Sequence, residues 1–299
     1  MSRKFFLTDA VAQKMSDSAC LTKAAVREQT VPDEVEKDED TSEFSAPVRI
    51  VWRTDVGKVR KINQDSVIIG NGLAGVADGM GGHNGGEIAS AGLRDGLLRE
   101  TEGKTPGTEC LREAIEKINL ELWNIQEQDA SLTGMGTTLT VLWPAQSEMI
   151  IAQVGDSRAY LLRDGILRQV TSDHSMVADM VRRGIISEDQ AASHPMRNFI
   201  TRAVGTEDTI EADITIVARQ AGDRWLVCSD GLYSQMSKKE LSDAMMLDNP
   251  EEAANLLLET ALDHGGRDNI SLLIVVEGSD EKSDPPADEA PGKEAADHG

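Results

Sequence analysis

Met149-Ile150-Ile151-Ala152-Gln153-Val154-Gly155-Asp156-Ser157-Arg158-Ala159-Tyr160-Leu161-Leu162-Arg163-Asp164-Gly165-Ile166-Leu167-Arg168-Gln169-Val170 is the stretch from which the fold class is read. Met149–Val154, Ala159–Arg163 and Ile166–Val170 are short β-type runs rich in branched and aromatic residues. Asp164-Gly165 between the last two is a strong two-residue hairpin signal. A chain that reverses in two residues pairs its strands antiparallel.

Outward from this hairpin the same texture continues. Further β-type runs precede it at Val48–Arg53, Ser66–Ile69, Leu73–Ala77 and Thr138–Trp143, and follow it at Ile210–Val217, Arg224–Cys228 and Ile270–Val276. Helical periodicity appears in pairs, at Glu87–Arg99 with Glu109–Gln128 and at Lys238–Met246 with Glu251–His264. Hairpin strands with grouped helices predict an α+β protein with antiparallel sheet inside and helices outside, not alternating βαβ units. From Thr171 to Ile200 the pattern breaks into two short helical pieces around an Arg182-Arg183-Gly184 turn, an insertion suited to a flap over a site.

The chain has 299 residues, 39% hydrophobic and 27% charged, which suits a globular domain with polar ends. Residues 31–46 carry a balance of −6 and residues 279–299 a balance of −5, both with little to bury, so they are expected to be disordered. The expected organisation is an acidic N-terminal extension over 1–46, one domain over 47–278 with a flap at about 171–200, and an acidic tail over 279–299. Leu7, Ala10, Val11 and Met15, then Ala19, Leu21 and Val26, have the spacing of short amphipathic turns.

A net charge of −22 argues against nucleic acid as a partner, because phosphate backbones call for cationic surface. The body remains acidic once both tails are set aside, so a phosphate-handling site would need metal ions for positive charge. No apolar run is long enough to cross a bilayer, and Asp9 interrupts the basic N-terminus before any secretory core. The cytoplasm is therefore the expected location. Cys20, Cys110 and Cys228 are too far apart for a zinc site and odd in number; Cys228, within Trp225-Leu226-Val227-Cys228, reads as a core residue.

Five aspartates sit beside apolar strands: Asp65, Asp78, Asp156, Asp230 and Asp268. Singly, each has an ordinary explanation, since Asp-Gly after a strand is usually a turn, Asp268-Asn269 a cap, and Asp65 a surface acid. Together they can converge at one sheet edge, where like charges would repel unless hard cations hold them. Mg²⁺ and Mn²⁺ favour such oxygen ligands, and two of them about 3.5–4 Å apart can activate a water and clamp a phosphoryl group. The glycines after Asp78 allow close approach to such ions.

Seven segments in order resemble the PP2C-like, or PPM, family of metal-dependent protein phosphatases in its bacterial form. They are Arg60–Asp65, Val76–His83, Gly134–Thr138, Val154–Tyr160, Thr171–Ser175, Cys228–Leu232 and Arg267–Asn269, spread over about residues 50–276. The resemblance implies a four-layer α-β-β-α sandwich with two central antiparallel sheets. It also implies hydrolysis of phosphoserine and phosphothreonine in proteins by a metal-bridging hydroxide, with two or three divalent cations, Mn²⁺ or Mg²⁺. By position, Asp78 would bridge two metals with the Gly79 carbonyl on one. Asp230 and Asp268 would bind one ion, and Asp65 would act directly or one layer out. Asp156 with Asp230 would form a third, weaker site, and Arg60 would hold the substrate phosphate, where its fork matches two oxygens.

Animal and plant members carry a histidine after the Asp-Gly pair as proposed general acid, whereas this chain has Met80. A metal-held water, as in other bacterial-type members, or His83 would then supply the proton. His174 and His194 have no partner at metal spacing and read as structural. The expected partners are phosphorylated proteins, a bacterial serine/threonine kinase and its substrates, with the chain itself a monomer. A catalytically silent scaffold would show lost ligands, and all are present; a narrow regulatory phosphatase would carry sensor modules, and none is visible; an EF-hand loop is absent.

Overall fold

Asp164 and Gly165 at the hairpin tip both take positive φ, 53° and 73°, as a type I′ turn requires. In the computed structural model, which describes residues 5–6, 48–81 and 85–278, this turn joins β8 (Arg158–Arg163) to β9 (Ile166–Gln169). These strands belong to a sheet ordered β2 (Val48–Asp55), β13 (Ile270–Glu277), β12 (Arg224–Cys228), β8, β9. The second sheet is ordered β11 (Asp213–Ala218), β7 (Glu148–Val154), β6 (Leu139–Pro144), β4 (Leu73–Met80), β3 (Asp65–Gly70), with β5 (Gly136–Thr137) against the end of β4. Every pairing in both sheets is antiparallel.

Alternation along the strands makes three apolar layers. Ala74, Val76, Leu142, Ile151, Trp225, Val227 and Leu273 pack between the sheets. The outer face of the β4-containing sheet buries Ile68, Leu139 and Ile150 against α1 (Gly85–Thr101) and α2 (Thr108–Gln128). The outer face of the other sheet buries Leu226, Leu272 and Ile274 against α6 (Lys238–Met245) and α7 (Pro250–Asp263). The result is the expected four-layer α-β-β-α order. Capping sets the helix starts: Ser237 and Glu240 form a capping box at α6, and Asn249 accepts from the Glu251 N–H before Pro250 at α7.

The expected flap stretch contains α3 (Met176–Arg182) and α4 (Glu188–Ala192), and Gly184 takes the left-handed turn between them at φ 69°. It closes at β10 (Phe199–Ile200), which pairs in parallel with β1 (Phe5–Phe6). The amphipathic turns expected between Leu7 and Val26, and His83, lie outside the described residues.

Candidate active site

Antiparallel register places Asp65 directly opposite Asp78 on β3 and β4. Val67 and Val76, two residues along each strand, pack between the sheets, so both aspartates share that inner face at the sandwich edge. Opposed Cβ atoms stand ~5 Å apart in such a pair, and two carboxylates there repel. The sequence reading put Asp78 just past its strand; β4 in fact continues through Gly79 to Met80, because β5 extends the ladder with Gly79 opposite Thr137. Asp78 is 8% exposed. Its N–H donates to Thr138 Oγ1 and its carbonyl accepts from the Thr138 N–H, both at 2.9 Å.

Gly79 is fixed by space. A Cβ there would lie 2.0 Å from the Gly86 carbonyl oxygen and 2.5 Å from that of Gln64. Only glycine lets β4 run this close to the start of α1, so the backbone next to Asp78 is bare.

The other sheet brings its acids from two strand ends. Asp230 opens a one-turn helix, α5 (Asp230–Tyr233), directly after β12 and Ser229. Ser229 donates through Oγ to Asp65 Oδ2 at 2.8 Å, tying the two sheets together at the site. Asp268 precedes β13, and Arg60 donates to its Oδ2 at 2.8 Å. Arg60 therefore stands beside a carboxylate read as a cation ligand, and one ion pair orients both. The loop that carries Arg60 is stapled by Asn269, which accepts from the Gln64 N–H at 2.9 Å and donates to the Val56 and Ile62 carbonyls at 3.0 Å.

Asp156 lies in the turn that carries the chain from one sheet to the other, between β7 and β8, and is 4% exposed. Gly155 takes φ 96° there. His174 grips that glycine twice: its N–H donates to the Gly155 carbonyl at 2.9 Å and its Nδ1 accepts from the Gly155 N–H at 3.1 Å. The Tyr233 hydroxyl donates to the Asp156 carbonyl at 2.9 Å. Burial pushes the Tyr233 phenol well above its ordinary pKa, so it stays a donor. The Arg158 guanidinium lies 3.7 Å from the Tyr233 ring centre and forks onto Asp173.

Two clefts meet at Asp230. One of about 420 Å³ joins Asp230 and Asp268 with Arg197 and Asn198. The other, about 730 Å³, joins Asp230 with Asp156, Arg158, Asp173 and Tyr233 under α3 and α4. Met80 is buried with Ile200 and Ala203 and has no proton to give. His194 accepts from the Met196 N–H through Nδ1, a local turn bond. Cys228 is fully buried, and burial pushes its thiol up to about 12, which leaves it inert.

The donor set fits hard divalent cations: five aspartate carboxylates and the Gly79 carbonyl, all oxygen, with a bare backbone beside Asp78. Among the described residues no three His, Cys, Asp or Glu side chains close on one point. Ions here would draw on backbone and water oxygens as well, as Mg²⁺ and Mn²⁺ readily do. Sequence reasoning did not assign Ser229, Asn269, Tyr233 or the Arg158–Asp173 pair to the site. Ser229, Asn269 and Arg158 lie inside the quoted motifs, so adjacency was the available signal.

The layout is that of a hydrolase working with hard cations. A family model described as protein phosphatase 2C matches residues 59–270. The serine/threonine phosphatase Stp of Listeria monocytogenes is 38% identical over 236 residues, covering 75% of this chain and 94% of the relative. The serine/threonine protein phosphatase PstP of Mycobacterium tuberculosis is 40% identical over 230 residues, 76% of this chain and 44% of PstP. The crystal structure of the Mycobacterium tuberculosis phosphatase PstP/Ppp superposes with a TM-score of 0.74 at 38% identity, covering 78% of this chain and 99% of that one. The PstP catalytic domain in complex with two manganese ions gives 0.72 at 36%, with the same coverage. The chain belongs to the protein phosphatase 2C family.

Proposed function

We propose that the convergence of Asp65 and Asp78 from one sheet with Asp230 and Asp268 from the other makes the catalytic centre of this enzyme. The chain is a metal-dependent protein serine/threonine phosphatase, and its substrates are phosphorylated proteins. The observation that supports the site assignment is the cross-sheet tie of Ser229, next to Asp230, to Asp65, which stands opposite Asp78.

In this reading Asp78, with the Gly79 carbonyl, Asp230 and Asp268 hold two divalent cations, Mn²⁺ or Mg²⁺. Asp65 supports them, and Asp156 shares a third, weaker ion with Asp230. When bound, the cations acidify a water and offset phosphoryl charge. The chain's own residues do the rest. Arg60, turned by Asp268 toward the site, presents its guanidinium to two phosphate oxygens. The water oxygen bonds to phosphorus in line as the ester P–O bond breaks; the attacking water gives up one proton and the departing serine or threonine oxygen gains one, relayed through site water, since Met80 offers none.

A substrate of this kind is made by protein kinases. A monomer working in the cytoplasm against a bacterial serine/threonine kinase and its targets completes the reading. The test is hydrolysis of a phosphothreonine peptide with and without Mn²⁺, in wild type and Asp230→Asn. Turnover that needs Mn²⁺ and falls at least a hundredfold in the variant is expected; a variant as active as wild type would remove Asp230 from the centre.

A further inference from the structure

Asp156 and Asp230 come from different elements, a sheet-to-sheet turn and a one-turn helix. If they share an ion, something must hold the turn and the helix at a fixed spacing. Tyr233 is built for this. It ends the helix that Asp230 begins, three residues on, and so lies on the same helix face. Its hydroxyl donates to the main-chain carbonyl of Asp156 at 2.9 Å, which fixes the peptide plane directly after the Asp156 side chain.

The tyrosine is in turn held from the far side. The Arg158 guanidinium stacks 3.7 Å from its ring centre and donates to Tyr160 Oη at 3.1 Å and to Asp173 at 2.7–3.1 Å. Asp173 also accepts from Gln169 at 2.9 Å, and its carbonyl accepts from Arg182 of α3 at 3.1 Å. Tyr233 is thus a strut with both ends fixed, one on Asp156 and the other on a charged cluster at the foot of α3.

We propose that Tyr233 is a positioning residue that sets the separation of Asp156 and Asp230, and thereby the affinity of the weaker divalent-cation site those two carboxylates share. The proposal rests on the assignment of that shared site made above. It makes the weak site dependent on a single hydroxyl, which bonds the main chain of Asp156 rather than either carboxylate.

The experiment is a Mn²⁺ titration of the full chain, following the electron paramagnetic resonance signal of free Mn²⁺, for wild type, Tyr233→Phe and Asp156→Ala. Phenylalanine keeps the ring under Arg158 and removes only the hydroxyl. The expected result is that Tyr233→Phe weakens the weak class about fivefold, ~1 kcal/mol, with the tighter class where wild type has it. Asp156→Ala should abolish the weak class. An unchanged weak class in Tyr233→Phe, with that class lost in Asp156→Ala, overturns the role of Tyr233 and leaves the shared site standing. Equal weakening of both classes in Tyr233→Phe also overturns it, because the residue would then act on the fold at large. Wild-type titration by Asp156→Ala removes the shared site and the strut's role with it.

Discussion

His174 shows how much one side chain does here. It is 4% exposed, accepts the Gly155 N–H on Nδ1 and lies 3.1 Å from Asp213 Oδ2 through Nε2, so the neutral ring carries its proton on Nε2. Burial lowers its pKa below the usual 6.5; the bond to Asp213 acts the other way, and the Arg202 and Arg182 charges reinforce the lowering. The folded state thus takes up the proton at lower pH than the unfolded chain. The stabilisation is complete above pH 6.5 and is lost as pH falls through the folded pKa. Asparagine keeps an acceptor at the Nδ1 position but does not titrate. The melting-temperature advantage of wild type over His174→Asn should therefore shrink between pH 7.5 and 5, and a constant difference would contradict this. Sequence reading had His174 as structural and Cys228 as core, since each lacks ligand spacing or sits in an apolar run. The partners of His174 were beyond it, because Asp213 and Gly155 are brought near only by folding.

At the scale of elements, the loop from Val56 to Gln64 is stapled by one residue just before β13. Asn269 is 3% exposed and makes all three of its side-chain bonds to that loop's backbone. Removing it leaves buried backbone groups unsatisfied at ~1–3 kcal/mol. Asn269→Ala should lower stability by about 2 kcal/mol in urea unfolding and lower kcat/KM as Arg60 loses its setting; a change below about 0.5 kcal/mol would show that water replaces the staple. Long elements were legible because apolar spacing repeats along them: the Asp164-Gly165 hairpin and the paired helices α1 with α2 and α6 with α7 fall where the pattern put them. Short ones were not. α5, β5 and β10 have two to four residues each, too few to show a period. Asp78 was placed past its strand because Asp-Gly usually marks a turn; here pairing with β5 overrides that local preference.

For the molecule as a whole, the proposed site depends on the two sheets being stacked face to face. Asp65 and Asp78 project from one, Asp230 and Asp268 from the segments just after β12 and just before β13 of the other, and Asp156 from the crossing between them. Residues 65 and 229 are joined across the sandwich edge by the Ser229 hydroxyl. Five weak signals spread over two hundred positions became readable as one site through their shared order with a known family. Their proposed convergence rests on the fold rather than on any one segment. In the proposed site the stacking would set these carboxylates where cations offset their mutual repulsion, and that links the architecture to the chemistry. The most direct test is diffraction from crystals grown with Mn²⁺, with anomalous differences recorded at the manganese edge. The account predicts two strong peaks, both beside Asp78, one also against the Gly79 carbonyl and the other against Asp230 and Asp268. Peaks confined to other acidic surface, with none beside Asp78, would contradict it.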